Sequence, residues 1–234
     1  MSDKSPRQEP LSERLNAFFS RYRIGLIVTA TVLLIGIVAA VIVFQVADAR
    51  AERMLVATEA MQRIEADYAA LSDEDSAERQ AIEEELRTAI TELIAEYPRD
   101  YGALRARFVL GSLEWQLENW SEAYDAFLAV AEEHRPNYLT APALFSAAAA
   151  AENMGENDRA RELYGRVADG DLTPNSERAH ALFNLGRLAE AGDDTTLALE
   201  YYNRLVDEHA GSNWTSLGRN RIIWLTSQGT TAEG

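Results

Sequence analysis

Hydrophobic and polar positions along this chain fall into three regimes. From Ile24 to Ala47 the run IGLIVTATVLLIGIVAAVIVFQVA holds no charged residue. At a helical rise of 1.5 Å, about 20 such residues cross a hydrocarbon layer of roughly 30 Å. The run predicts a single transmembrane helix at 24–47. Ala47-Asp48-Ala49 has the form of a signal cleavage site, but signal apolar regions are shorter, about 7–15 residues. A retained anchor is therefore expected. Arg14, Arg21 and Arg23 precede the run, so residues 1–23 are expected in the cytoplasm and the large domain on the trans side. Within 1–23, Pro10, Leu11, Leu15, Phe18, Phe19 and Tyr22 predict a short amphipathic helix. It is expected to lie along the inner headgroup layer before the chain turns in. Gly25 and Gly36 are too far apart for a GxxxG motif, and the run has no ionisable residue, which fits an anchor rather than a channel.

The second regime, 48–97, predicts a helical stalk and a first helix pair. Leu55, Met61, Ile64 and Tyr68 recur at helical spacing with no breaker up to Leu71, so the membrane helix is expected to continue outward or to kink near Asp48. SDEDSAE at 72–78 reads as a turn, with Asp75 and Glu78 in capping-box form. Ile82, Leu86, Ile90, Leu93 and Ile94 then mark a helix that stops before Pro98.

The third regime, 98–228, repeats. Aligning 110–131, 147–168 and 185–206 puts Ala123, Ala160 and Ala198 in register. Gly111, Ala148 and Gly186 then coincide, as do Phe127, Tyr164 and Tyr202. A polar turn divides each unit at Glu118-Asn119, Gly155-Glu156-Asn157 and Gly192-Asp193-Asp194. Small residues let two antiparallel helices approach closely, and the aromatic fills the space toward the next unit. Asn213 to Leu225 is expected to supply a capping helix with Leu217-Gly218 at the small-residue position. Residues 229–234 are expected to form a disordered tail.

This pattern resembles the tetratricopeptide repeat (TPR). The resemblance implies an all-α fold, a right-handed TPR-like α-solenoid of antiparallel helix pairs behind the single transmembrane helix. It also implies a concave groove lined by the first helix of each unit. Carried onto this sequence, the groove places are Arg105, Phe108, Ser112, Trp115 and Gln116, then Pro142, Phe145, Ala149, Glu152 and Asn153, then His180, Phe183, Arg187, Glu190 and Ala191. Phe108, Phe145 and Phe183 hold the same place in successive units, as a peptide-binding ladder or as inter-helix packing. The places where a carboxylate clamp holds Lys and Asn carry Phe108, Phe145 and Phe183 and Ser112, Ala149 and Arg187 here, and the chain's single lysine is Lys4.

Charge and chemistry narrow the function. Residues 1–23 carry five basic and three acidic side chains, +2, so the −16 total leaves −18 for the rest. Such a domain is repelled by nucleic acid. With no cysteine, disulfides, thiolate metal sites and a cysteine nucleophile are excluded. His134, His180 and His209 lie far apart, and the acidic clusters 73–75, 83–85 and 193–194 lack calcium-loop spacing. No catalytic residue, metal, cofactor or small-molecule substrate is expected. The stretches RLNAFFSRYRIGLIV (14–28), VADARAERMLVATEAM (46–61) and DYGALRARFVL (100–110), in this order of elements, resemble the YfgM-type ancillary subunits of the bacterial Sec translocon. That resemblance implies a bacterial inner-membrane protein with a periplasmic domain. It implies translocon subunits, exported chains or periplasmic chaperones as partners. Scaffolds of outer-membrane assembly or cell-division coordination are one alternative, and an enzyme or sensor whose site lies between the repeats and a partner is the other.

Overall fold

Sequence free of proline folds as one long helix, α1 (Leu11–Ala70). The computed structural model describes residues 11–71, 76–133, 137–172 and 175–232. Asp75 and His134 lie outside them. The chain divides into two units, Met1–Arg53 and Met54–Gly234.

In the first unit, the apolar side chains of 24–46 are exposed along α1, and this helix is long and apolar enough to cross a membrane. Phe18 packs edge-on against Phe19 and at 5.0 Å against Tyr22, and all three are exposed. The expected turn between an amphipathic tail helix and the span is not there, because the backbone is helical throughout from Leu11. Nothing in LSERLNAFFSRYR breaks a helix, so the backbone runs into the span as one uninterrupted helix.

The second unit begins with the end of α1. Met61 and Tyr68 are buried there with Leu86, Ile90 and Leu93 of α2 (Ser76–Glu96) and Val109 and Leu113 of α3 (Tyr101–Gln116). Leu55, expected on this stripe, is exposed, and Met54 takes its place. Met54 lies two turns before Met61, whereas Leu55 lies well round the helix.

Helix pairs then follow in sequence: α4 (Trp120–Ala131) after α3, α5 (Thr140–Asn153) with α6 (Asn157–Asp169), and α7 (Arg178–Ala191) with α8 (Thr195–Glu208). Each packs on its neighbours in chain order. Helix α5 is the thinnest, with Ala143, Ala147, Ala148, Ala150 and Ala151 all buried. Their short side chains let the helices on either side approach it closely. Ala123, Ala160 and Ala198 are fully buried, as are Phe127, Tyr164 and Tyr202.

Helices α3, α5 and α7 end in the same turn. Asn119 N–H donates to Glu114 C=O, Glu156 to Ala151 and Asp194 to Ala189. The preceding residues, Glu118, Gly155 and Asp193, hold φ of 59°, 77° and 59°. This is a Schellman motif, whose left-handed residue suits glycine. The second unit has the glycine, while the first and third hold a strained Glu and Asp. Glu118→Gly is therefore expected to raise stability by about 0.5–1 kcal/mol, and Gly155→Ala to lower it by a similar amount. Chemical denaturation of both variants checks the pair of signs.

Helix α9 (Asn213–Ala232) closes the described stack. Thr215, Gly218 and Leu225 are buried. Leu217 is exposed, so it does not share the small-residue position expected of Leu217-Gly218. The expected tail at 229–234 begins as a continuation of α9, which runs on to Ala232.

Candidate functional site

The odd-numbered helices share one face, stitched by contacts between successive units. Arg105 of α3 lies 3.3 Å from Glu65 of α1. Arg187 of α7 meets Glu152 of α5 through both terminal guanidinium nitrogens, Nη1 and Nη2, at 2.6 Å. Arg221 of α9 pairs with both carboxylate oxygens of Glu190 of α7, its Nε at 2.9 Å. The two later pairs each include the tyrosine hydroxyl of the paired even helix. Tyr164 Oη donates to Glu152 at 3.5 Å, and Tyr202 Oη to Glu190 at 2.6 Å. Planar, forked guanidinium groups suit such two-point contacts.

Electrostatics follow from this wiring. Burial pushes the Glu190 carboxyl up, but hydrogen bonds from Arg221 and Tyr202 outweigh it and hold it below the usual value. Burial raises the Tyr164 and Tyr202 phenols beyond their ordinary range, and the adjoining carboxylates raise them further. Glu114 carries a parallel network on α3. Arg87 Nη1 donates to it at 2.5 Å and Asn119 Nδ2 at 2.8 Å, and these bonds hold its carboxyl low against burial.

Aromatic side chains run along the same face. Phe108, Phe145 and Phe183 are half-buried, each beside the aromatic of its own unit: Phe127 at 5.3 Å, Tyr164 at 5.2 Å and Tyr202 at 5.7 Å. From Phe145 the strip continues to His180 at 4.2 Å, and His180 stacks on Trp214 at 3.6 Å. Phe183 reaches Trp214 at 5.3 Å. Burial lowers the His180 imidazole pKa, Arg187 lowers it further, and Glu177 at 3.9 Å opposes both.

The structure thus joins Phe145, His180 and Phe183 in one strip, and Glu152, Arg187 and Glu190 in the pairs beside it. Phe108 stays on Phe127, and Trp115 packs edge-on against Trp120 at 4.9 Å. Asn153 donates to the Ala149 carbonyl in its own helix. Trp214 and Arg221 are the residues the sequence reading missed. They follow their counterparts, His180 and Arg187, at one common interval. Aligning α9 on Gly218 hid that period.

Comparison with known proteins agrees with this geometry. Residues 145–213 match the tetratricopeptide repeat family model. A TPR repeat-containing protein of Treponema pallidum (strain Nichols) is 33% identical over 119 residues. That stretch is 50% of this chain and 48% of the relative, so the chain spans about half the relative's length. A crystal structure of nearly identical TPR-like repeats, of a Podospora anserina protein assigned as a kinesin light chain, superposes with a TM-score of 0.55. It is 15% identical, covering 77% of this chain and 89% of that one. The fold is a TPR-like α-solenoid with one long apolar N-terminal helix. TPR repeats imply a protein–protein interaction scaffold.

Proposed function

We propose that this protein is a non-catalytic scaffold, anchored by residues 24–47 with its repeat domain on the periplasmic side. Its odd-helix face receives segments of other proteins and assists their translocation or their hand-over to chaperones. The observation that carries the binding role is the strip Phe145–His180–Trp214–Phe183, partly open to solvent beside the Arg187–Glu152 and Arg221–Glu190 pairs. Aromatic rings on a rigid stack offer large contact area at little ordering cost. Translocon subunits, exported chains and periplasmic chaperones are the partners implied by the resemblance of 14–28, 46–61 and 100–110 to the YfgM-type subunits.

Photocrosslinking tests the reading in the intact membrane. A photoreactive phenylalanine at position 183 is expected to capture translocon subunits or exported chains, and one at exposed Glu162 is not. Capture of outer-membrane assembly factors alone from position 183 would overturn the translocation role.

A further inference from the structure

Helix α9 has the register of the first helix of a fourth unit. The Glu152–Arg187 pair recurs as Glu190–Arg221, which sets Arg221 of α9 at the place that Arg187 holds in α7. In that register Gly186 and Ala189 correspond to Asn220 and Ile223. Gly186 and Ala189 are buried, and Gly186 lies against Tyr202 of α8, the second helix of its unit. Asn220 and Ile223 are exposed, Ile223 at 66%. Leu217 and Trp224 beside them are 45% and 46% exposed. No helix among the described residues covers this side of α9, although Thr215, Gly218 and Leu225 are buried on the other. A helix side left uncovered in a repeat stack ordinarily turns a polar face outward. This one turns out Leu, Ile and Trp.

Charge selects the occupant. Helix α9 carries Arg219 and Arg221 and no acidic residue, in a chain of net charge −16. Arg221 is committed to Glu190 and Trp224, whereas Arg219 is exposed. Pairing two α9 helices would bring two acid-free, basic surfaces together, which is unfavourable. An amphipathic helix with an apolar stripe and acidic flanks complements both the apolar and the charged part. Helix α8 has that plan, burying Ala198, Tyr202 and Leu205 while Glu200, Asp207 and Glu208 stay exposed.

We propose that an acidic amphipathic helix of another protein docks on Leu217, Asn220, Ile223 and Trp224 of α9 and completes the fourth helix pair. This surface adjoins the aromatic strip at Leu217, one turn along α9 from Trp214, and its test at Ile223 stands whether or not the strip binds its own segment. The test uses the full chain in detergent micelles and a labelled, lactam-stapled peptide of residues 195–208 as the helix probe, read by anisotropy. Saturable binding is expected, weakened ~10-fold or more by Ile223→Asp and several-fold by Arg219→Glu. A peptide carrying Glu200→Lys, Asp207→Lys and Glu208→Lys should not bind. Ile223 is exposed, so Ile223→Asp should leave the melting temperature unchanged. Absence of binding, or binding indifferent to Ile223→Asp, overturns the proposal. So does self-association of the full chain that Ile223→Asp abolishes, because that result assigns the face to a second copy.

Discussion

Gly186→Leu is expected to destabilise the repeat domain by about 3 kcal/mol, at the upper end of the usual cost of overpacking. Even a single methyl group at this position would sit 2.5 Å from Cε1 of Tyr202 and 2.7 Å from Cζ. The ring cannot yield easily. Tyr202 is fully buried and its hydroxyl is held by Glu190 at 2.6 Å. Moving the ring would disturb Phe183, centred 5.7 Å away, and through it the strip to Trp214. Gly165 on α6 is the control, since nothing lies within 4 Å of an added Cβ there. Gly165→Ala should gain up to about 1 kcal/mol from helix propensity alone. Denaturant titration of the full chain in micelles compares the two. A loss under about 0.5 kcal/mol for Gly186→Leu would be incompatible with the packing described.

That prediction was legible in the sequence because its partners share one unit. Gly186 and Tyr202 are separated along the chain by the same interval as Gly111 and Phe127. A fixed spacing within a helix pair survives in the pattern. Contacts between units were less legible. The loops differ in length, so counterparts recur at unequal intervals. The step from Arg187 to Arg221 is shorter than those from Ala123 to Ala160 and from Ala160 to Ala198, and it shifted α9 out of alignment. Repeat spacing places Arg187 in the groove, yet its partner Glu152 lies in another unit at a separation no periodicity marks. The aromatic ladder was legible as three phenylalanines. Its continuation through His180 and Trp214 depends on how α7 and α9 meet, which hydrophobic spacing does not encode. The long α1 shows a different gap: helix formers gave no reason for a bend near Tyr22, while the amphipathic stripe pointed to a separate surface helix.

Glu190→Ala is expected to cost about 2–3 kcal/mol, because one carboxylate serves three helices. It belongs to α7, accepts the Tyr202 hydroxyl of α8 and pairs with Arg221 of α9. Its side chain is 13% exposed, so water replaces these bonds poorly. Removing it leaves the Tyr202 hydroxyl without its acceptor in a buried site and releases the guanidinium that fixes α9. The same carboxyl supplies a pH signature. Its folded pKa is depressed by Arg221 and Tyr202 against the opposing effect of burial. Its contribution is therefore complete above the unfolded carboxylate value, roughly 4.3, and is lost as pH falls through the lower folded value. Glu190→Gln keeps an acceptor oxygen but removes the titration, so its melting temperature should fall less steeply in acid than that of the parent chain. Glu114, also depressed, retains its share of the acid loss in both proteins, which isolates the difference at Glu190. Hydrogen exchange separates a local role from a general one. If Glu190 anchors the end of the stack, Glu190→Ala should lose protection first in α9 while α3 to α5 stay protected. Uniform loss across all helices would instead make the carboxylate one contributor to a single cooperative core.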